Sequence, residues 1–158
     1  MKHFIFRQYG WLASASIVFS VSVVLFVRPE GSWQLLLTWL GGTFSFVYLV
    51  QKQALEELRL FKELFGEFNH RYDELNEHLN RIAARDSNEK LDPADCDHLN
   101  DYFNLCAEEY LFYKRRFIYP EVWQSWFNGM KWFYRKQRIR EYWKSELASE
   151  SYYGLRFD

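Results

Sequence analysis

The chain has 158 residues, a formal net charge of −1 and aromatic side chains at 21% of its positions. A near-neutral balance excludes bulk attraction to nucleic acid, although local basic patches keep their own pull. The mean hydropathy of −0.39 averages an apolar first third with a strongly charged remainder, which is long enough for one small domain and no more.

Residues 8–27 and 31–51 contain no charged side chain. Each run is about 20 residues long, which at a helical rise of 1.5 Å matches a bilayer core of about 30 Å. Between them stands "RPEGS", where Pro29 and Gly31 act as breakers. The pattern predicts a transmembrane helical hairpin over residues 1–51, with spans at about 9–27 and 32–50. "MKHFIFR" resembles a basic signal-peptide start, but the A-x-A-like triplet Ala13–Ala15 precedes most of the apolar run. Cleavage sites follow that run, so an uncleaved first span is expected. Lys2 and Arg7 flank the first run, Lys52, Arg59 and Lys62 follow the second, and Arg28 alone lies at the tip. That bias predicts a multi-pass protein of the bacterial inner membrane with both termini cytoplasmic. Ala13, Ser16 and Ser20 in the first run, and Gly41 and Gly42 in the second, form small-residue faces. Such faces serve hairpin packing; the alternative is a polar path through an oligomer.

Residues 52–158 are expected to form a cytoplasmic, aromatic-rich helical domain. Leu58, Phe61, Phe65, Phe68, Tyr72, Leu75, Leu79 and Ile82 alternate in steps of three and four, which predicts a helix continuing out of the second run to about Arg85. After the polar "RDSNEKLDPAD", Asp92 reads as an N-cap and Pro93 as the first residue of a second helix. Its stripe is Cys96, Leu99, Phe103, Cys106, Tyr110, Tyr113 and Phe117. The two helices form an antiparallel hairpin, in which Phe65, Phe68, Tyr110 and Tyr113 are expected to share a core. Pro120 opens a third helix, and a last helical stretch covers about 139–147 before a frayed "ASESYYGLRFD". No strand-like alternation appears, so the fold class is all-α: the hairpin, a long helix and a small helical bundle. Cys96 and Cys106, ten residues apart on one helix, lie some 15 Å apart by helical rise and read as thiols rather than a disulfide.

Motifs for catalysis are missing: there is no phosphate loop, nucleophile elbow, metal-protease motif or zinc-spaced cysteine pair. His70, Glu74 and His78 lie along one helix side, "DCDH" mixes ligand types, and Glu108 adjoins Glu109. Each has a plainer reading: an exposed face, acids at a helix N-terminus, and adjacent residues that diverge. No catalytic residue, metal or cofactor is expected. Charge is more informative. Residues 86–109 hold eight acids and one lysine. Beyond them, Lys114, Arg115 and Arg116, then Lys131, Arg135, Lys136, Arg138 and Arg140, interleave with aromatics that include Trp132 and Tyr134. Such a surface suits single-stranded nucleic acid held with a partner, anionic membrane lipid or protein, or the chain's own acidic helix.

"LNDYFNLCAEEYLFYKRRFIYPEVWQSWFNGMKWFYR", residues 99–135, resembles the C-terminal helical module of a bacterial domain family of unknown function. Gly129 fills the glycine position that interrupts its second aromatic helix, and the resemblance implies a helical fold. The overall layout resembles the two-transmembrane effectors of bacterial anti-phage systems, including retron-type ones. That resemblance implies a hairpin that perturbs the inner membrane when a sensor protein bound to the bundle releases it, with homo-oligomers in view. The alternative is a membrane-anchored adaptor whose helical domain binds a protein or nucleic-acid partner; an enzyme ranks below both.

Overall fold

The computed structural model describes residues 11, 14–15, 17–19, 21–22, 32–85 and 89–157, the side chains of 32, 35 and 149 excepted. Among them every regular element is helical: α1 (Ser32–Ala84), α2 (Pro93–Lys114), α3 (Pro120–Tyr134), α4 (Gln137–Glu146) and a 3-10 turn (Leu147–Ser149). The chain divides into two compact units, residues 1–59 and 60–158.

In the first unit the apolar side chains of α1 face outward: Trp33, Leu37, Trp39, Phe44, Phe46 and Leu49 are all exposed. They are interleaved with Gln34, Thr38, Thr43, Ser45 and the Gly41–Gly42 pair. Among the described residues no helix is long and apolar enough to cross a membrane, which overturns the expected multi-pass inner-membrane placement with cytoplasmic termini. Most of the first expected span (about 9–27), the tip around Pro29, and Ala13, Ser16 and Ser20 lie outside the described residues. Gly41 and Gly42 are exposed, and a Cβ on either would meet nothing within 4 Å.

The second unit holds the core. From α1 it takes Leu64, Phe68, Leu79 and Ile82, at three-four-type spacing, with Phe61, Tyr72 and Leu75 half-buried beside them. Leu58 is exposed, so the buried stripe starts at Phe61 rather than Leu58. The start of α2 follows local chemistry: Pro93 occupies the first turn, where its missing N–H costs nothing, and the Asp92 carboxylate accepts from the Asp95 N–H at 2.7 Å.

The end of α2 is equally local. Arg115 caps the helix, Arg116 takes the left-handed conformation (φ 65°), and the Phe117 N–H reaches back to the Phe112 carbonyl at 3.0 Å. The Arg116 N–H meets the Tyr113 carbonyl at 2.8 Å, and the Phe112 and Phe117 rings touch edge to face. These are the two crossed bonds and the apolar contact of a Schellman motif, with arginine where glycine is usual.

α3 runs antiparallel to α2. Trp123, near its start, stacks on Tyr113 and touches Tyr110, while Phe133, near its end, meets Tyr102. The expected quartet therefore does not form. Phe68 packs against Phe112 and Trp126, Phe65 lies over Trp126 at the surface, and Tyr110 and Tyr113 turn to Trp123. A third helix competes for the same rings, and a two-helix reading cannot register it.

The last segment is not frayed. Glu150, Tyr153 and Gly154 adopt positive φ (54°, 52° and 82°), and these reversals return the chain to the bundle. Tyr152, Leu155 and Phe157 are buried; Trp143 has Phe103, Tyr152 and Phe157 around it with ring centroids at 4.8–4.9 Å. Each such ring removed from water contributes about 1.5–3 kcal/mol.

Candidate functional site

Basic residues cluster where α2 and α3 end, because cations are favourable beside the unpaired carbonyls of a helix C-terminus. Lys114, Arg115 and Arg116 stand at the end of α2; Lys131, Arg135 and Lys136 stand at the end of α3. Three lysines lie over rings one turn earlier on the chain. Lys114 is 5.2 Å from the Tyr110 centroid, Lys131 4.7 Å from that of Phe127, and Lys136 4.8 Å from that of Trp132.

The antiparallel packing separates what the sequence places together. With Trp123 beside Tyr113 and Phe133 beside Tyr102, the cluster at 114–116 lies at one end of the α2–α3 pair and that at 131–140 at the other. At the latter corner Trp132 and Arg135 are exposed, and Lys136 and Arg140 are half-exposed. Two of the candidate residues turn inward. Tyr134 packs against Phe157, and Arg138 is buried with none of its three guanidinium nitrogens hydrogen-bonded.

The acids of α2 do not neutralise these cations. Asp95 pairs with Arg85 and lies 3.9 Å from Arg81, while Glu108 accepts two hydrogen bonds from Arg71. Both acids are thus taken by α1. Among the described residues no ion pair engages Arg115, Arg116, Arg135 or Arg140.

A second arrangement lies inside the bundle. A cavity of about 190 Å³ opens between α1, α2 and α3, lined by Tyr72, Tyr102, Cys106, Glu109, Trp126 and Gly129 among others. Glu109 is buried, and burial pushes its carboxyl up to about 8, with Arg71 opposing the shift and Glu108 adding to it. The Tyr102 hydroxyl is buried without an oxygen or nitrogen partner. Burial first, then the neighbouring Cys106 thiol, raises the Tyr102 phenol well above its ordinary range; burial does the same to the thiol. Perturbed groups gathered at a cavity are a recognised mark of a functional site.

Sequence reading passed over Glu109 because Glu108 stands beside it. Adjacent helical positions do diverge: Glu108 faces the Arg71 guanidinium at the rim, and Glu109 points into the bundle. The available signal is the stripe itself, since Glu109 falls three after Cys106 and two beyond the buried run Leu105–Ala107. Asp95 stands in the first turn of α2, as an acid favoured by the helix N-terminus should, and it is also buried, paired with a partly exposed Arg85. His70 lies 3.6 Å from Glu74, whereas the His78 ring stacks on His98 instead. Cys96 is partly exposed, Cys106 is buried, and both are free thiols.

The chain matches no protein-family model, no curated protein and no solved structure.

Proposed function

We propose that this chain is a binding module whose helical bundle docks an acidic protein partner at the α3–α4 corner, centred on Trp132. One observation carries the reading: among the described residues Arg135 and Arg140 have no acidic partner, while Asp95 and Glu108 are matched by Arg85 and Arg71. An exposed Trp with a lysine over its ring and arginines nearby in the chain has the composition of an interface hot spot. A net charge of −1 favours a protein over nucleic acid, whose affinity rests on many phosphate contacts. The effector reading depends on a membrane-crossing hairpin, and among the described residues no helix is long and apolar enough to be one; the proposal is built on the bundle alone.

A photo-crosslinking residue at position 132 tests this in cells. The expected product is a discrete protein adduct that disappears in the double variant Arg135→Glu, Arg140→Glu. A nuclease-sensitive adduct would replace the protein partner with nucleic acid, and no adduct would remove the corner from consideration.

A further inference from the structure

We propose that the cavity between α1, α2 and α3 is a binding site for a small organic cation, an alkylammonium held by the Glu109 carboxylate among Tyr72, Tyr102 and Trp126. The inference is independent of the surface at Trp132.

The lining is rich in acceptors and rings and holds no cation. Among the described residues no side chain hydrogen-bonds Glu109, and the neighbouring guanidinium, Arg71, has both nitrogen arms on Glu108. The Asn69 amide NH₂, also at the cavity, donates to the Phe65 carbonyl at 2.7 Å, and the amide oxygen adds a further acceptor. The orphaned Tyr102 hydroxyl has lone pairs to offer. Three aromatic side chains and one acid around a space of about 190 Å³ suit an ammonium group, which is attracted both to ring faces and to a desolvated carboxylate. An anionic ligand would find no cation in the lining to hold it. Gly129 is exposed at the rim, and even a Cβ there would meet nothing within 4 Å, so its side of the entrance is open.

Binding carries a proton balance. In the empty site burial keeps Glu109 protonated at neutral pH. An incoming ammonium stabilises the carboxylate, so the acid releases its proton to solvent and the ligand keeps its own. The groups facing Glu109 are Arg71 and Tyr72 from α1, and Tyr102, Cys106 and Glu108 from α2; α3 contributes no titratable group to the lining.

The test is calorimetric titration of the full chain with n-butylammonium, with n-butanol as the neutral probe of similar size. Affinity for the amine should rise about tenfold from pH 6 to pH 7 and level off above about pH 8, because the empty acid must first ionise. Close to one proton should be released per ligand bound at pH 7, read from buffers of different ionisation enthalpy. Glu109→Gln keeps the shape of the neutral acid and should abolish both binding and proton release. Should that variant fail to fold, the pH slope and proton release of the unaltered chain decide the matter. A parallel titration with Nα-acetyl-lysine methylamide separates sources: tighter binding than butylammonium means that a partner's lysine carries the cation, weaker binding that a free amine does. The proposal is overturned if butanol binds as well as the amine, if amine binding ignores pH or Glu109→Gln, or if neither cation binds.

Discussion

Asp95 and Arg85 form an ion pair across the turn between α1 and α2: the carboxylate side chain is 1% exposed, and its Oδ2 lies 2.5 Å from the Arg85 Nη1. The guanidinium retains contact with water, whereas the acid does not, so the two partners are not equivalent. Losing Arg85 strands a charge in the core; losing Asp95 frees an arginine that water can still solvate.

Arg85→Ala should therefore destabilise the bundle by about 3 kcal/mol, toward the lower end for a stranded buried charge because Arg81 remains near Asp95. Arg85→Lys should recover part of the loss. Equilibrium urea unfolding of the set measures it, and an Arg85→Ala cost below that of Asp95→Ala would contradict the asymmetry.

Phe68 and Phe65 are one helical turn apart and have different fates. Phe68 is buried at 2% exposure, and Phe65 retains 38%. Phe68→Ala should cost about 3–5 kcal/mol through the cavity it leaves, and Phe65→Ala markedly less. Thermal melting of both variants reads the contrast, and equal losses would mean that Phe65 is covered in solution.

Arg116 holds a left-handed conformation that glycine adopts freely. Arg116→Gly should raise stability by a few tenths to about 1 kcal/mol, relief of strain being partly offset by the greater freedom of the unfolded chain. Arg116→Val should lower it by a similar amount, since a β-branched side chain tolerates this region poorly. A melting temperature that falls with glycine would show that the arginine side chain supports the turn by a contact of its own.

Glu109 makes stability depend on pH. Its folded-state carboxyl is raised above the ordinary value of 4.5 to about 8, so its contribution is fully present below about pH 4.5. Between those values the unfolded chain has lost the proton while the folded one keeps it, and stability falls by at most about 1.4 kcal/mol per pH unit. Above about pH 8 the loss levels off. Glu109→Gln should remove this slope, so that the variant gains on the parent chain from pH 5 to pH 8. Parallel urea titrations across that range measure the difference, and one that stays constant with pH would contradict the assignment.

The helices were legible because their signals are local. Asp92–Pro93 and Pro120 announce starts, and the three-four stripes of α1 and α2 announce buried faces. What escaped depends on the third dimension. Whether the basic residues at 114–116 and 131–140 share a surface follows from the antiparallel course of α3, which Trp123 and Phe133 reveal only once packed. The burial of Glu109 and Arg138 runs against the usual behaviour of charged side chains. The tail from Ser151 reads as polar and short, yet Tyr152, Leu155 and Phe157 find places among rings contributed by distant residues. The apolar run at 32–50 suggests a span by its missing charge, yet among the described residues no helix is long and apolar enough to cross a membrane.

The returning tail also has a meaning for the order in which the chain is made. α1 and α2 can pair as neighbours as soon as both have emerged, and α3 and α4 follow at short separation. Phe103 and Trp143, however, wait for Tyr152 and Phe157. Until those residues leave the ribosome, the Phe103 and Trp143 rings of a growing chain lack that cover. The final stretch then closes the bundle in one late step, and a nascent chain stalled before Tyr152 is the species most exposed to aggregation and to chaperones.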